Sequence, residues 1–203
     1  MNIAIQGHVP DTVRIILGST SRYRAELLRR LVEDFEQRAP GTDEKAIAGE
    51  TPQTRARRLA IAKAQAAAKA MHNALVIGSD QVAELDGGVL DKPGSVENAC
   101  RQLQASSGRR VDFHTALCVL DTRDGRQHVY LDHTRVHFRR LNVGEIERYV
   151  AKEKPLDCAG SFKCEGLGIS LFERIDQQDP TALIGLPLIA LAKMLRDCGI
   201  NLP

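Results

Sequence analysis

The stretch that most constrains the fold is Ala74-Leu75-Val76-Ile77-Gly78-Ser79-Asp80-Gln81. Its apolar run shows no alternation, which predicts a strand buried on both faces. The run stops at Gly78 and Ser79, so we expect Asp80 where the strand reaches the surface. Ligands of open α/β sheets bind beyond the carboxyl ends of strands, which makes this carboxylate a candidate for catalysis. The alternative is a turn-forming aspartate, because Gly-Ser-Asp also suits a turn.

Composition and charge exclude several classes of function. Of the 203 residues, 43% are hydrophobic and 27% are charged, which is typical of a globular chain with a substantial core. The net charge of +2 comes without a basic arm, so we expect no nucleic-acid partner. No apolar run suits a membrane span and the start lacks a signal-peptide pattern, so we expect no membrane association and a cytoplasmic location. The five cysteines are scattered without Cys-x-x-Cys spacing, so neither a zinc site nor a disulfide framework is expected.

The chain begins with a predicted tail at residues 1–12, and residues 13–203 are predicted to form one domain. The first firm element is a strand over residues 13–17, followed by Gly18, three hydroxyl residues and a helix. This order is one in which helix N–H groups can bind a phosphate near Ser19, although the Walker pattern is absent. The alternative is that the hydroxyl residues only cap the helix.

A second helix is expected to begin at Thr51-Pro52, because a cap residue followed by proline is typical of a helix start. Its inward stripe consists of small and apolar residues with one lysine among them: Ala56, Leu59, Ala60, Lys63, Ala67 and Ala70. A lysine in such a stripe either extends outward to solvent or reaches into a cleft that holds an anion. The surrounding alanines favour close packing on the sheet, so we favour the cleft.

The remaining pattern predicts an irregular connection at residues 36–50 and a hairpin around Asp86-Gly87-Gly88. Three further helices are expected after Ser95, after Asn142 and from Leu188, and two long strands at 110–121 and 127–139. A glycine-rich loop at 158–168 is expected to lead into a last strand at 169–172. The order of strands and helices predicts a mixed α/β domain with two lobes around a cleft. Glu44, Lys63, Asp80 and Lys92 are expected to face that cleft.

Seven short motifs carry a family resemblance by their order and number. They are Leu17-Gly18-Ser19-Thr20-Ser21 with Arg24, Asp43-Glu44, Leu59-Ala60-Ile61-Ala62-Lys63-Ala64, Gly78-Ser79-Asp80-Gln81, Asp91-Lys92-Pro93, Cys158-Ala159-Gly160-Ser161-Phe162 and Ile184-Gly185-Leu186-Pro187. With them the chain resembles the Maf family of nucleotide pyrophosphatases over nearly its whole length. The resemblance implies an elongated mixed sheet with two lobes around a central cleft, similar to inosine-triphosphate pyrophosphatases. It also implies hydrolysis of a nucleoside triphosphate to the monophosphate and pyrophosphate, assisted by Mg²⁺ or Mn²⁺.

The resemblance, together with the residue types, implies a role for each polar residue of the cleft. Asp80 is expected to be the general base that accepts a proton from the attacking water. Glu44 and Asp80 are expected to bind the metal, since carboxylate oxygens are the ligands that Mg²⁺ prefers. The expected phosphate-binding residues are Ser19, Arg24, Lys63 and Lys92.

Within the family, the Ser-Asp-Gln and Gly-Ser-Phe-Lys-x-Glu-Gly motifs resemble the branch that acts on 7-methyl-GTP. The family's specificity positions correspond to Tyr23, Gln81 and Glu165. Glu165 can accept from the N1–H and the 2-amino group of guanine together, and the face of Tyr23 can attract the cationic methylated ring.

The chain departs from the branch at one motif. The branch has Trp where this chain has Tyr23, and the family's Ser-Pro-x-Arg-Arg is Ser21-Arg22-Tyr23-Arg24-Ala25 here. Tyrosine is a weaker platform than tryptophan for a cation, so we expect a smaller preference for the methylated base.

The residues leave other functions open. One is a UTP/dTTP or broad-range pyrophosphatase of the same family, against which Gln81 and Glu165 argue by resemblance. Others are a non-catalytic nucleotide-binding regulatory protein and a metal-dependent phosphatase that releases orthophosphate. The expected partner is a small-molecule nucleotide, and the sequence does not give the oligomeric state. A homodimer and a role in clearing modified nucleotides are hypotheses.

Overall fold

The structure is a computed structural model that describes residues 13–203, so the predicted tail at 1–12 lies outside the described residues. Its helices and strands, in chain order, are β1 Arg14–Gly18, α1 Arg22–Leu28, β2 Glu36–Arg38, α2 Pro52–Ala67, β3 Ala74–Leu85, β4 Gly88–Leu90, α3 Val96–Ser106, β5 Arg110–Asp121, β6 Gln127–Phe138, α4 Val143–Glu153, β7 Phe172–Asp176 and α5 Leu188–Asp197. Between residues 13 and 203, no helix combines the length and the apolarity that crossing a membrane requires.

The strands form one mixed sheet in the order β2-β1-β3-β5-β6-β7, with β4 paired to the far end of β3. β1 is parallel to both of its neighbours, whereas the other pairs are antiparallel. β3, β5 and β6 have 12 residues each, so each extends over about 40 Å. Strands of this length can carry a core at each end.

Buried side chains form three groups on the sheet. At the β1 end, α1 and α5 pack on one face and α2 packs on the other, because odd-numbered and even-numbered residues of β3 point to opposite sides. At the far end, α3 and α4 pack over β5 and β6 with a cluster of phenylalanine rings. The predicted mixed α/β fold with two lobes is therefore confirmed.

The predicted end of the central strand at Gly78 is wrong. β3 continues to Leu85, so Asp80 lies in the middle of the strand and is only 6% exposed. The strand that ends here is β1, which is paired with β3 as far as Ile77, whereas β4 pairs with β3 only from Ala83 onward. In the described part of the chain, the edge of β3 between these points has no strand neighbour on that side, and the cleft lies beside this gap.

Two other segments and one residue differ from the sequence prediction. Glu36–Arg38 forms β2 inside the segment predicted to be irregular, because its parallel partner β1 supplies the hydrogen bonds that its polar sequence does not suggest. The predicted strand at 169–172 is a 3-10 turn, Leu167–Leu171, and β7 begins only at Phe172. Ala70, predicted to face inward, lies beyond the end of α2 with a φ of 59° and is exposed.

Helix α2 lies very close to β3 because both surfaces carry small residues. A Cβ atom on Gly78 would lie 2.2 Å from the carbonyl oxygen of Ala60 and 2.6 Å from the amide nitrogen of Ala64. Only glycine permits this approach. The contact sets the depth at which Lys63, from the same turn of α2, meets the strand.

We expect Gly78→Ala to lower the free energy of unfolding by about 3 kcal/mol, the upper end of the usual cost of overpacking, because the new methyl group overlaps helix backbone that cannot move independently. Urea unfolding measures the change. Gly88→Ala is the matched control, since a Cβ there would meet only the carbonyl oxygen of Leu85 at 3.4 Å. Equal unfolding midpoints for the two variants would contradict the close-packing argument.

Candidate active site

Three adjoining cavities form the cleft, and all three are lined by Arg24 and Lys92. We call them the narrow cavity (about 110 Å³, beside Glu165), the wide cavity (about 530 Å³, beside Ser19) and the inner cavity (about 260 Å³, beside Asp80). Every residue predicted for the site lines at least one of them: Ser19, Tyr23, Arg24, Glu44, Lys63, Asp80, Gln81, Lys92 and Glu165. The fold therefore brings the predicted residues together, and their individual roles stay predictions.

Lys63 joins the two predicted metal-binding carboxylates. Its Nζ atom lies 2.6 Å from Asp80 Oδ1 and 2.7 Å from Glu44 Oε1. Lys63 and Asp80 are both buried, whereas the side chain of Glu44 is half exposed at the mouth of the cleft. Lys63 thus reaches into the cleft and does not extend to solvent, and its charge offsets the repulsion between the two carboxylates.

The charges around Glu44 set its protonation state. Burial alone would raise the pKa of Glu44, but the hydrogen bond and charge of Lys63, with the charges of Lys92 and Arg24, outweigh it. The pKa of Glu44 is therefore held below its ordinary value of 4.5. At neutral pH this side chain is a carboxylate, the form that binds a cation.

Arg24 is fixed by two hydrogen bonds. Its Nε donates to the carbonyl oxygen of Gly185 at 2.9 Å, and its Nη1 donates to Ser19 Oγ at 3.3 Å. Burial lowers the pKa of Arg24, and the carboxylates of Asp80 and Glu44 counteract that effect. A guanidinium held by neutral partners keeps its charge available for a phosphate.

The hydroxyl residues before α1 were predicted either to cap the helix or to bind a phosphate, and only one of them is the cap. Ser21 caps the helix, since its side chain accepts from the backbone N–H of Arg24 at 3.3 Å. Ser19 does not cap; its Oγ accepts from the Ser21 backbone N–H at 3.1 Å and lines the wide cavity. Ser21 thus serves as the helix cap, and the phosphate-binding role of Ser19 stays a prediction.

Gln81 is held rigidly at the narrow cavity. Its Nε2 atom donates to Thr115 Oγ1 at 2.9 Å and lies 3.0 and 3.1 Å from the carbonyl oxygens of Ala182 and Leu183. These contacts engage the amide nitrogen, so the amide oxygen is the atom that a ligand in this cavity can use. The specificity role predicted for Gln81 stays a prediction.

Tyr23 has neighbours that sequence reasoning missed. The guanidinium of Arg22 lies over the ring at 4.8 Å from its centre and donates to the hydroxyl group at 2.9 Å. The hydroxyl group lies 3.5 Å from Asp157 Oδ2, and Asp157 lines both the narrow and the wide cavity. One face of the tyrosine ring already has a cation from this chain, which reduces the platform available to a ligand.

Other residues of the cleft were also missed. Cys164 lies with its Sγ 3.5 Å from Glu165 Oε2 at the rim of the narrow cavity. Arg55 and Asp91 line the inner cavity. Arg55 precedes Leu59 and Lys63 at successive spacings of four residues on α2, so this helical spacing was the signal that could have found it.

The donor set suits a divalent cation that is shared with a ligand. No cluster of three or more His, Cys, Asp or Glu residues that could enclose a metal occurs within residues 13–203. Glu44 and Asp80 instead offer two carboxylates that both contact Lys63. Mg²⁺ is commonly bound by one or two carboxylates with substrate phosphates completing its shell, so this pair fits that mode.

A mixed sheet whose cleft combines carboxylates with fixed cations is suited to binding a polyphosphate. In the comparison with known families, the model of the Maf-like protein family matches residues 14–198, and the chain belongs to this family.

Curated relatives are similar over nearly their whole length. The 7-methyl-GTP pyrophosphatase of Xanthomonas campestris pv. campestris (strain 8004) is 56% identical over 190 residues, which cover 94% of this chain and 98% of the relative. The protein of the same name from Xanthomonas oryzae pv. oryzae (strain MAFF 311018) is 55% identical, with 94% and 99% covered. That of Burkholderia pseudomallei (strain 1710b) is 53% identical over 201 residues, with 98% and 94% covered.

Proposed function

We propose that this protein is a nucleoside triphosphate pyrophosphatase that hydrolyses 7-methyl-GTP to 7-methyl-GMP and pyrophosphate. The observation that carries the proposal is the buried Asp80, paired with Lys63 and Glu44, in a cleft whose cavities share Arg24 and Lys92. The names of the relatives, which are 53–56% identical, support the same substrate.

The chemical step follows from the charges of the cleft. Asp80 accepts a proton from water as the water oxygen bonds to the α-phosphorus. The bond from that phosphorus to the oxygen bridging the α- and β-phosphates breaks, and pyrophosphate leaves with the electron pair. Lys63, Lys92 and Arg24 stabilise the charge that develops on the leaving group, since cations fixed in advance need no reorganisation during the reaction.

A divalent cation is part of this proposal. Glu44 and Asp80 would hold it, and when bound it supplies positive charge to the phosphate oxygens. The salt bridges of Lys63 hold the two carboxylates beside one ammonium group.

The narrow cavity would receive the base. Glu165 accepts from the guanine N1–H and 2-amino group, which uracil and thymine do not offer together, and the Gln81 amide oxygen is a further acceptor. The ring of Tyr23 contributes the aromatic face. Because Arg22 already lies 4.8 Å from the centre of that ring, stacking should contribute only part of the preference for the cationic base.

The test is a nucleotide panel. We expect the wild-type protein with Mg²⁺ or Mn²⁺ to show its highest kcat/KM on 7-methyl-GTP among 7-methyl-GTP, GTP, UTP and dTTP, with pyrophosphate as the product. Removing the metal with EDTA should abolish turnover. A preference for UTP or dTTP would identify the pyrimidine-specific alternative, orthophosphate would identify a phosphatase, and binding without hydrolysis a regulatory protein.

We expect Tyr23→Trp to raise the ratio of kcat/KM on 7-methyl-GTP to that on GTP by about threefold to tenfold, because indole attracts a cation more strongly than phenol. Steady-state kinetics on the two nucleotides measure this ratio. Tyr23→Phe is the control, since it keeps the ring and removes only the hydroxyl contacts with Arg22 and Asp157. An unchanged ratio in Tyr23→Trp would contradict the stacking role.

A cytoplasmic location stays a prediction from the sequence, and a homodimer stays a hypothesis. We also propose that the activity clears modified nucleotides before polymerases use them. Unchanged pools of methylated nucleotides after loss of the protein would contradict this role.

A further inference from the structure

Arg55 is a cation of the cleft to which the proposed reaction gives no task. It lies about two turns before Lys63 on α2 and lines the inner cavity together with Lys63, Asp80 and Lys92. Only 17% of its side chain is exposed. The guanidinium is permanently charged, so with this little solvent contact it needs hydrogen-bond or ion-pair partners.

The protein provides those partners incompletely. Nη2 of Arg55 lies 3.3 Å from the carbonyl oxygen of Glu44 and 3.5 Å from Asp91 Oδ1. Nε is buried and has no hydrogen-bond partner within the described residues. Both protein contacts use a single nitrogen, whereas a structural arginine commonly grips a carboxylate with two. An unpaired buried N–H costs free energy, and an oxyanion in the inner cavity would supply its acceptor.

The position of Arg55 in α2 also disfavours a purely structural role. The residue closes the first turn of the helix, and that turn contains no acidic residue. A cation at a helix N-terminus opposes the helix dipole. A cation at this position conflicts with the charge preference of a helix start, and the conflict lies beside a cleft. Such conflicts are typical of residues that serve a ligand.

We propose that Arg55 is a phosphate-binding residue of the cleft, which donates to non-bridging oxygens of the triphosphate and of the departing pyrophosphate. The inference rests on the proposed function, because it requires a polyphosphate in the inner cavity. The planar guanidinium binds an oxyanion through two parallel N–H groups, a geometry that Lys63 and Lys92 cannot provide. Through Nη2 the same side chain ties the Glu44 segment to the turn that carries Lys92.

The test is calorimetric titration of the full chain with inorganic pyrophosphate in the presence of Mg²⁺. We expect Arg55→Gln to weaken binding about tenfold, the effect of losing one charge-assisted hydrogen bond. Arg55→Lys keeps the positive charge but loses the two parallel N–H groups, so its pyrophosphate affinity should lie between those of Arg55→Gln and the wild type. Arg57→Gln, on the exposed side of the same helix, is the matched control and should bind as the wild type does.

Thermal unfolding separates ligand binding from a structural brace. If Arg55 serves the ligand, the midpoint of Arg55→Gln should change little, because the loss of the two Nη2 contacts is offset by removal of an unfavourable cation from the helix start. A lower midpoint with pyrophosphate affinity within twofold of the wild type would overturn the inference. Equal weakening in Arg55→Gln and Arg57→Gln would also overturn it, as would a wild-type protein that binds no pyrophosphate.

Failure of this inference can be told from failure of the proposed function. Turnover of 7-methyl-GTP by a protein whose pyrophosphate affinity does not depend on Arg55 would overturn the inference alone. Pyrophosphate binding that depends on Arg55, in a protein that hydrolyses no nucleotide of the panel, would support the inference and overturn the proposed function.

Discussion

Asp80→Asn is expected to lower kcat for 7-methyl-GTP hydrolysis by about 10³-fold, because a positioned general base contributes about 10²–10⁴-fold and an amide cannot accept the proton. The amide oxygen of asparagine can still accept the hydrogen bond that Lys63 donates to Asp80 at 2.6 Å. The cleft should therefore keep its shape, and KM should change much less than kcat. Steady-state release of pyrophosphate measures both constants.

Glu84→Gln is the matched control for this experiment. Glu84 lies on the same face of β3, and its carboxylate contacts His114 at 2.9 Å, away from the cavities of the cleft. We expect this variant to keep wild-type kcat. If Asp80→Asn also hydrolyses at the wild-type rate while its unfolding midpoint is unchanged, Asp80 is not the base and the central assignment fails.

Lys63→Met is expected to affect both stability and turnover. Removing the lysine leaves Asp80, which is 6% exposed, without its buried partner. Breaking a buried pair from one side costs about 3–5 kcal/mol, because the remaining charge stays desolvated. The loss of a phosphate-binding cation and of carboxylate positioning should lower kcat/KM by at least about 10²-fold.

The same variant should change the pH dependence of stability. In the wild type the pKa of Glu44 lies below 4.5, so its carboxylate contributes stability that is full above pH 4.5 and is lost as the pH falls through the lower folded-state value. Without Lys63, burial remains and the main cause that lowers the pKa is gone. The pKa of Glu44 in the variant therefore rises, and this contribution disappears.

Thermal midpoints measured from pH 7 to pH 3 test the expectation. The difference between the wild type and Lys63→Met should be largest above about pH 5 and should shrink as the pH falls below 4.5. Lys69→Met, at an exposed position just beyond α2, is the control and should show no such trend. A difference that stays constant over the whole range would contradict the proposed coupling of Lys63 to Glu44.

Helix starts and hairpin turns could be predicted from the sequence, because they depend on residues that are close together in the chain. Thr51 accepts from the backbone N–H of Thr54 at 3.2 Å at the start of α2, and Asn142 forms a capping box with Glu145 at the start of α4. The turn at Asp86 and Gly87 has positive φ at both positions, as its hairpin sequence indicates. The hydrogen bonds that define these features lie within a few residues, so local sequence contains the information.

β2 could not be predicted, since three polar residues form a strand only because β1 lies beside them. The position of Asp80 was misjudged for a related reason: the cleft opens where β1 ends, not where its own strand ends. Which edge of a strand has a neighbour depends on pairing between distant segments, and no local pattern records it.

The sequence by itself determined the mixed α/β class, the family resemblance and nine of the residues that line the cleft. Tertiary structure alone decided how they act on one another. Lys63 bridges Asp80 and Glu44 because close packing at Gly78 sets the height of α2 above β3. Arg55 enters the cleft because two loops meet at its guanidinium. Distances and burial set the charge interactions, and both arise only when segments far apart in the chain are packed together.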